Sequence, residues 1–177
     1  MNSSGQVWYF CTMTIQIRAI GEADIPAVAR LLAALATRYI LHECPPEASV
    51  HFLGENDETG LRGFIAAGHV YHVAMAGDEL AGFVGVRARS HLFHLFVSDA
   101  FQHQGLARRL WETARAAAIA AGGDGSFTVN ASNGAVGVYE ALGFVRCAPM
   151  QSKHGLFFNP MTLAPDTWPL PERAWPA

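Results

Sequence analysis

The chain has 177 residues, 51% apolar and 15% charged, which suits one domain with its own core and excludes a mainly disordered chain. Its 12 Lys and Arg stand against 15 Asp and Glu, a formal charge of −3, which argues against a nucleic-acid partner because that would show clustered basic residues. Three cysteines, Cys11, Cys44 and Cys147, have no C-x-x-C spacing and suggest neither a disulfide framework nor a zinc site, so a reducing, cytoplasmic setting is expected.

In chain order, Val7 to Cys11 is apolar but too short for a membrane span and lacks a basic segment ahead of it, so neither a signal peptide nor a membrane partner is expected. Residues 1–13 read as an extension. Alternation at Ile15 and Ile17 predicts a first strand, Thr14 to Ile20. Asp24 as N-cap and Pro26 in the first turn then open a helix to about Tyr39, with Val28, Leu31, Leu32 and Leu35 on its inner face. Cys44-Pro45-Pro46 breaks it. Glu47 to Gly68 reads as two short helices around Gly54-Glu55-Asn56-Asp57.

His69 to Ala76 and Leu80 to Ala88 form a hairpin about Gly77-Asp78-Glu79, and Leu92 to Val97 follows as a central strand with an apolar run dense enough to be covered on both faces. The chain then passes through Ser98 and Asp99 to Gln102-His103-Gln104-Gly105-Leu106-Ala107 and into an alanine-rich helix, Gly105 to Ala121, with Leu106, Leu110, Ala114 and Ala117 inward. Strand, short loop with one Gly, and helix start make an anion site, since the first N–H groups of a helix lack partners and its dipole favours negative charge. Gly105 would let the backbone approach a phosphate closely, and Arg108 and Arg109 add positive charge just beyond. The pattern is neither a Walker A loop nor a three-glycine dinucleotide fingerprint.

Ser126 to Val129 is a short strand, Gly134 to Leu142 a helix stopped by Gly143, and Phe144 to Cys147 another strand. Lys153-His154-Gly155 turns into the last strand, Leu156 to Leu163. The tail, 164–177, holds four of the nine prolines together with Trp168 and Trp175 and cannot be a regular helix or central strand. An ordered arm packed on the domain or on a second subunit, and a loose end, both fit. These elements predict a mixed, mostly antiparallel twisted sheet flanked by helices, an α/β domain spanning 14–163.

Two motifs carry a resemblance. Gln102-x-x-Gly105-x-Ala107 after Leu95-Phe96-Val97, and Asn130-x-x-Asn133 leading to Tyr139-Glu140-Ala141-Leu142-Gly143-Phe144, together resemble the pyrophosphate loop and second signature of the GNAT (Gcn5-related) N-acetyltransferases. The resemblance covers about Thr14 to Leu163. It implies a GNAT-like fold with acetyl-CoA as co-substrate and no metal. The diphosphate would lie on Gln102, His103, Gln104, Gly105, Leu106, Ala107 and Arg108, and the pantetheine on Leu95, Phe96 and Val97. Asn133 would cap its helix, contact the cofactor, or both.

Transfer of acetyl to an amine needs a polarised thioester carbonyl, a neutral amine and an acid for the departing thiolate. A bulge or splay at Leu95-Phe96-Val97 would free amides for the first. Tyr139 is the expected acid, because a phenol of pKa ~10 stays protonated at neutral pH and can supply a thiolate whose acid has pKa ~8.5. Relatives place a carboxylate early in the same strand; here His91 stands nearest, with His94 three residues on. A histidine near pKa ~6.5 suits proton acceptance through water. Strand parity admits only one of His91 and His94 to the acceptor site unless a bulge intervenes, and argues against a metal shared by His91 and His94 or by His69 and His72.

Tyr39, His42, Glu43 and Phe52 are candidates for acceptor contact, in a region that builds the acceptor pocket in GNAT proteins. The acceptor is expected to be a small-molecule amine or a peptide N-terminus, and a homodimer fits the resemblance. A non-catalytic acyl-CoA-binding domain of the same fold is the alternative reading.

Overall fold

The computed structural model describes residues 14–165, so the expected N-terminal extension, 1–13, and the tail from 166 on, with Trp168 and Trp175, lie outside the described residues. The first strand, β1 (Ile15–Ala19), leads through a single turn into α1 (Ile25–Tyr39). Asp24 does not cap α1 with its side chain. Its carboxylate instead accepts from the Gly21 amide at 2.7 Å and from Arg18 at 2.6 and 2.9 Å, contacts that hold it below the usual carboxylate range. Ile25, Val28, Ala29, Leu32, Leu35 and Ala36 form the buried face of α1, while Leu31 sits half-buried at its edge.

A turn at Leu41–Glu43 precedes α2 (Pro46–Glu55) and α3 (Glu58–Ala66), the latter capped by Asp57, which accepts from the Gly60 amide at 2.8 Å. Next come β2 (Val70–Ala76), β3 (Glu79–Arg87) and β4 (His91–Val97), an antiparallel meander as expected. Helix α4 (Leu106–Ala120) follows, turning Trp111 and Ala118 inward with Leu106, Leu110 and Ala114; Ala117 is only half-buried. The rest is β5 (Phe127–Ala131), α5 (Val136–Ala141), β6 (Val145–Arg146), β7 (Gln151–Lys153) and β8 (Leu156–Leu163).

Strand order is β1-β2-β3-β4-β5-β8-β6, with β7 pairing the start of β8. One core, under α4 and α5, gathers Leu110, Trp111, Phe127, Leu142, Phe144 and Met161; the other, under α1 and α3, gathers Leu32, Leu61, Tyr71, Val73 and Phe83. Both faces of the sheet are therefore covered, and all but one pairing between neighbouring strands are antiparallel.

Two irregularities in β4 position the site. Against β3, Gly85 pairs with His94 and Val86 with Leu92, so Phe93 is an extra residue, a β-bulge. Against β5, the parallel pairing consists of His91 with Thr128 and Leu92 with Val129. Beyond Leu92 the two strands part. Only the first half of β4 is thus sandwiched in the sheet; its second half has one free edge, and Leu95, Phe96 and Val97 are half-buried rather than covered.

Gly85 secures the bulged region from behind. A Cβ there would lie 2.4 Å from Cε1 of the buried Tyr71 ring, whose hydroxyl shares a hydrogen bond with His94 Nδ1 at 3.0 Å. Gly85→Ala is expected to displace that ring and cost about 1–3 kcal/mol, the range for overpacking a tight core. Urea unfolding measures it; an unchanged midpoint would show that the ring yields freely.

Candidate active site

The divergence of β4 from β5 opens a cleft of about 1060 Å³. Its floor is the second half of β4. Ser98 donates its amide to the Ala81 carbonyl of β3 at 2.9 Å, and because strand residues alternate in direction, Phe96 and His94 face β3 likewise. Leu95 and Val97 consequently turn their N–H and C=O groups toward the opening, where β5 has left. The Val97 carbonyl is met at 3.1 Å by Gln102 Nε2, which also donates to Asp99 Oδ1 at 3.0 Å. Gln102 therefore ties the loop to the end of the strand.

At the far end of that loop α4 begins. Gly105 occupies its N-cap with φ 74, a left-handed conformation that glycine adopts without strain, and no side chain caps the helix there. The first intrahelical bond runs from Arg109 N to Gly105 O at 3.1 Å, so the preceding amides have no partner inside the helix. A Cβ on Gly105 would meet nothing within 4 Å: it would project into the open cleft. No acidic residue stands in the first turn. Bare amides, a left-handed glycine and the absence of carboxylates there fit a phosphate group.

The cleft gathers most of the expected residues. Leu95, Phe96 and Val97 line it, as do Gln102, His103, Gly105, Leu106 and Ala107, together with His91 and Tyr139. Gln104, Arg108 and Asn133 are not among its lining residues. Gln104 folds back to donate to the Ala100 carbonyl at 3.2 Å. Arg109, expected to lend charge to the loop, reaches instead to the Ile15 carbonyl at 3.0 Å. Asn133 does not cap α5. Its Nδ2 donates to Glu43 Oε2 at 2.8 Å and its Oδ1 accepts from Asn159 at 2.9 Å, so the amide braces β8 against the Leu41–Glu43 turn.

Tyr139 is 8% exposed, edge-on to Phe144 with ring centroids 5.8 Å apart, and burial raises its phenol pKa. It remains a protonated donor across the neutral range. His91 is half-buried with Nδ1 at 2.8 Å from Thr128 Oγ1. Burial, then Arg87 and His69, lower it to about 4, well under the value near 6.5 expected of a poised base.

The bulge at Phe93 is the exception under which strand parity admits both histidines. With one extra residue between them, both His91 and His94 line the cleft. His94 is 6% exposed, held by Tyr71 and lowered to about 3, chiefly by burial. His69 and His72 do separate: His69 stacks on Phe64 at 5.2 Å, while His72 lines a smaller cavity beside α4. Among the described residues no group of three or more His, Cys, Asp or Glu is placed to hold a metal, and no helix is long and apolar enough to cross a membrane.

Tyr39, His42, Glu43 and Phe52 all line the opposite wall. The structure adds residues that the sequence did not single out, notably Phe64, Arg87, Phe93 and the β7–β8 hairpin with Lys153, His154 and Phe157. Their shared signal was a run of aromatic and histidine residues on one sheet face, but the bulge that aligns them leaves no trace in composition.

A family model described as an acetyltransferase (GNAT) domain matches residues 40–165. The chain belongs to the GNAT acetyltransferases. Among solved structures, a GCN5-related N-acetyltransferase from Rhodopseudomonas palustris, also described as aminotransferase, class-II, aligns with TM-score 0.71 at 20% identity over 85% of this chain and 96% of that one. PaiA N-acetyltransferase from Thermoplasma acidophilum, in complex with coenzyme A, aligns with TM-score 0.70 at 16% identity over 85% and 99%. The putative acetyltransferase YncA from Salmonella typhimurium, with acetyl-CoA, gives 0.61 at 19% over 93% and 98%. No curated protein sequence matches the chain. At these identities the structural likeness speaks to fold alone.

The two depressed histidines predict how stability responds to acid. Folded His91 and His94 stay neutral to about 4 and about 3, whereas the unfolded chain protonates them near pH ~6.5. The unfolded state then binds more protons, so stability falls as pH drops below ~6.5, by at most about 1.4 kcal/mol per pH unit for each ring. Urea midpoints at pH 7.5 and 5.0 read this out. A midpoint as high at pH 5.0 as at 7.5 would contradict the burial of these rings in neutral form.

Proposed function

We propose that this protein moves the acetyl group of acetyl-CoA directly to a primary amine. The observation that carries the reading is the continuity of one cleft from the bare start of α4, along the freed edge of β4, to the phenol of Tyr139. When bound, acetyl-CoA supplies the activated thioester. Everything else falls to the chain.

In this scheme Gly105, Leu106 and Ala107 offer amides to the diphosphate, with Gln102 and His103 beside them and Gln104 and Arg108 flanking outside the cleft wall. The amides of Leu95 and Val97 hold the pantetheine arm and polarise the carbonyl, with Phe96 between them turned to the other face. The amine nitrogen forms a bond to the acetyl carbon and the carbon–sulfur bond breaks. Tyr139 donates its proton to the departing sulfur and recovers one from solvent. The amine, arriving as ammonium, gives up one proton before attack and a second on forming the amide, so the turnover releases one proton net.

His91 is assigned the relay of the amine's proton through water. Its low basicity makes that step the weakest, and the rate should rise with pH as more amine arrives neutral. Asn133 acts at one remove, by holding Glu43 and β8 on the acceptor wall. Residues 14–163 would make up the catalytic domain, acting in the cytoplasm, alone or as a homodimer.

Acetyl-CoA at ~100 times its Kd should add about 2.7 kcal/mol of stability, which is several degrees of Tm in a domain of this size. Gly105→Glu should abolish that shift, by filling the cleft mouth and by straining a left-handed backbone at a cost of about 1–2 kcal/mol. Tyr139→Phe should retain the shift and lower kcat for thiol release about 100-fold or more. Absence of any shift in the parent protein, or full turnover in Tyr139→Phe, would overturn the scheme.

A further inference from the structure

Arg87, the last residue of β3, stands opposite His91 in the ladder and lines the cleft. Its guanidinium carbon lies 5.5 Å from the ring centroid of the bulge residue Phe93. It forms no ion pair among the described residues. The carboxylates of the same cleft come from other elements: Glu43 from the Leu41–Glu43 turn, accepting from Asn133 at 2.8 Å, and Glu55 from α2, 3.3 Å from His51. Among the cleft residues that β3 and β4 contribute, Arg87 is the one that carries a formal charge.

That cation is too far from Gly105 to serve the diphosphate. Arg87 faces the first residue of β4, whereas the loop departs from its last, Val97, six residues or about 20 Å further along. The contact with the Phe93 face is a cation–π one and leaves the guanidinium N–H groups for a planar anion, which Arg binds through two parallel hydrogen bonds.

Beside it rises an aromatic wall. Phe64 meets Phe93 edge-on at 5.0 Å and stacks on His69 at 5.2 Å, and Phe93 lies 4.4 Å from His94. This wall is apolar, its histidines are neutral and its charged neighbour is Arg87, so a second ammonium, as a polyamine would bring, gains nothing by lying against it. An apolar group and an anion are what it would take.

Resting on the N-acetyltransferase reading above, we infer that the acceptor is an amino carboxylate with an aromatic or bulky apolar body, its carboxylate on Arg87 and its body against Phe64 and Phe93.

Calorimetry on the CoA-saturated protein tests recognition apart from chemistry, with L-phenylalanine, phenethylamine and spermidine as probes. L-Phenylalanine should bind at least about 10-fold tighter than either, and Arg87→Gln should narrow its lead over phenethylamine to within about 3-fold. Equal or tighter binding of phenethylamine or spermidine, no binding of L-phenylalanine, or a lead that survives Arg87→Gln overturns the inference. Thiol release from acetyl-CoA is followed in parallel. Release with spermidine in preference to L-phenylalanine overturns the acceptor class and keeps the transferase; selective L-phenylalanine binding without release keeps the amino-carboxylate site on Arg87 but overturns its role as acceptor site.

Discussion

The structure depends on a ladder that is left unfinished. Strands β4 and β5 pair through His91–Thr128 and Leu92–Val129 and then separate, so the amides of Leu95 and Val97 face a cleft instead of a neighbour. Unpaired backbone groups are costly where water cannot reach them. Here they border an open cleft, and Gln102 satisfies the Val97 carbonyl. The separation is held open by features that cannot relax together: the bulge at Phe93, the anchoring of Tyr71 on His94 behind it, and the antiparallel pairing of β5 with β8 on its far side.

The same device joins two environments. At the loop end the cleft offers a left-handed glycine and bare helix amides, suited to anionic oxygens. At the other end it offers Phe64, Phe93 and buried neutral histidines, with the Arg87 guanidinium over the Phe93 ring. Tyr139 sits on α5, whose core with Phe144 and Trp111 fixes the ring while leaving it on the cleft wall. A reaction that joins an anionic carrier to an amine needs this kind of asymmetry along one channel.

Much of the fold was legible in the sequence because its signals are local. Apolar alternation located β1 and a dense apolar run β4, Gly77-Asp78 marked the hairpin, and Pro45-Pro46 the break after α1, each within a few residues, whereas the short, exposed β7 carried no apolar signal and was not foreseen. The Gln102 to Ala107 stretch was legible as a strand-to-helix connection, because a glycine at the start of a helix in left-handed conformation has few alternatives. Side-chain roles were less legible. Asp24 and Asn133 look like helix caps by type and position, but partners distant in sequence, Glu43 and Asn159 for Asn133, outcompete the local amides. Arg109 is adjacent to the loop in sequence yet turned toward β1.

Whether a bulge intervenes decides the two histidines, since one added residue changes which side chains share a face and nothing in the string His91-Leu92-Phe93-His94 marks it. It brings both histidines to the cleft, where burial makes them weaker bases than their type suggests. Amide hydrogen exchange resolved by residue tests the unfinished ladder most directly. The account predicts fast exchange at Leu95 and Val97 beside slow exchange at His94 and Phe96, with Leu95 and Val97 becoming protected when CoA is added. Equal protection of all four amides in the free protein, or no gain with CoA, would contradict it.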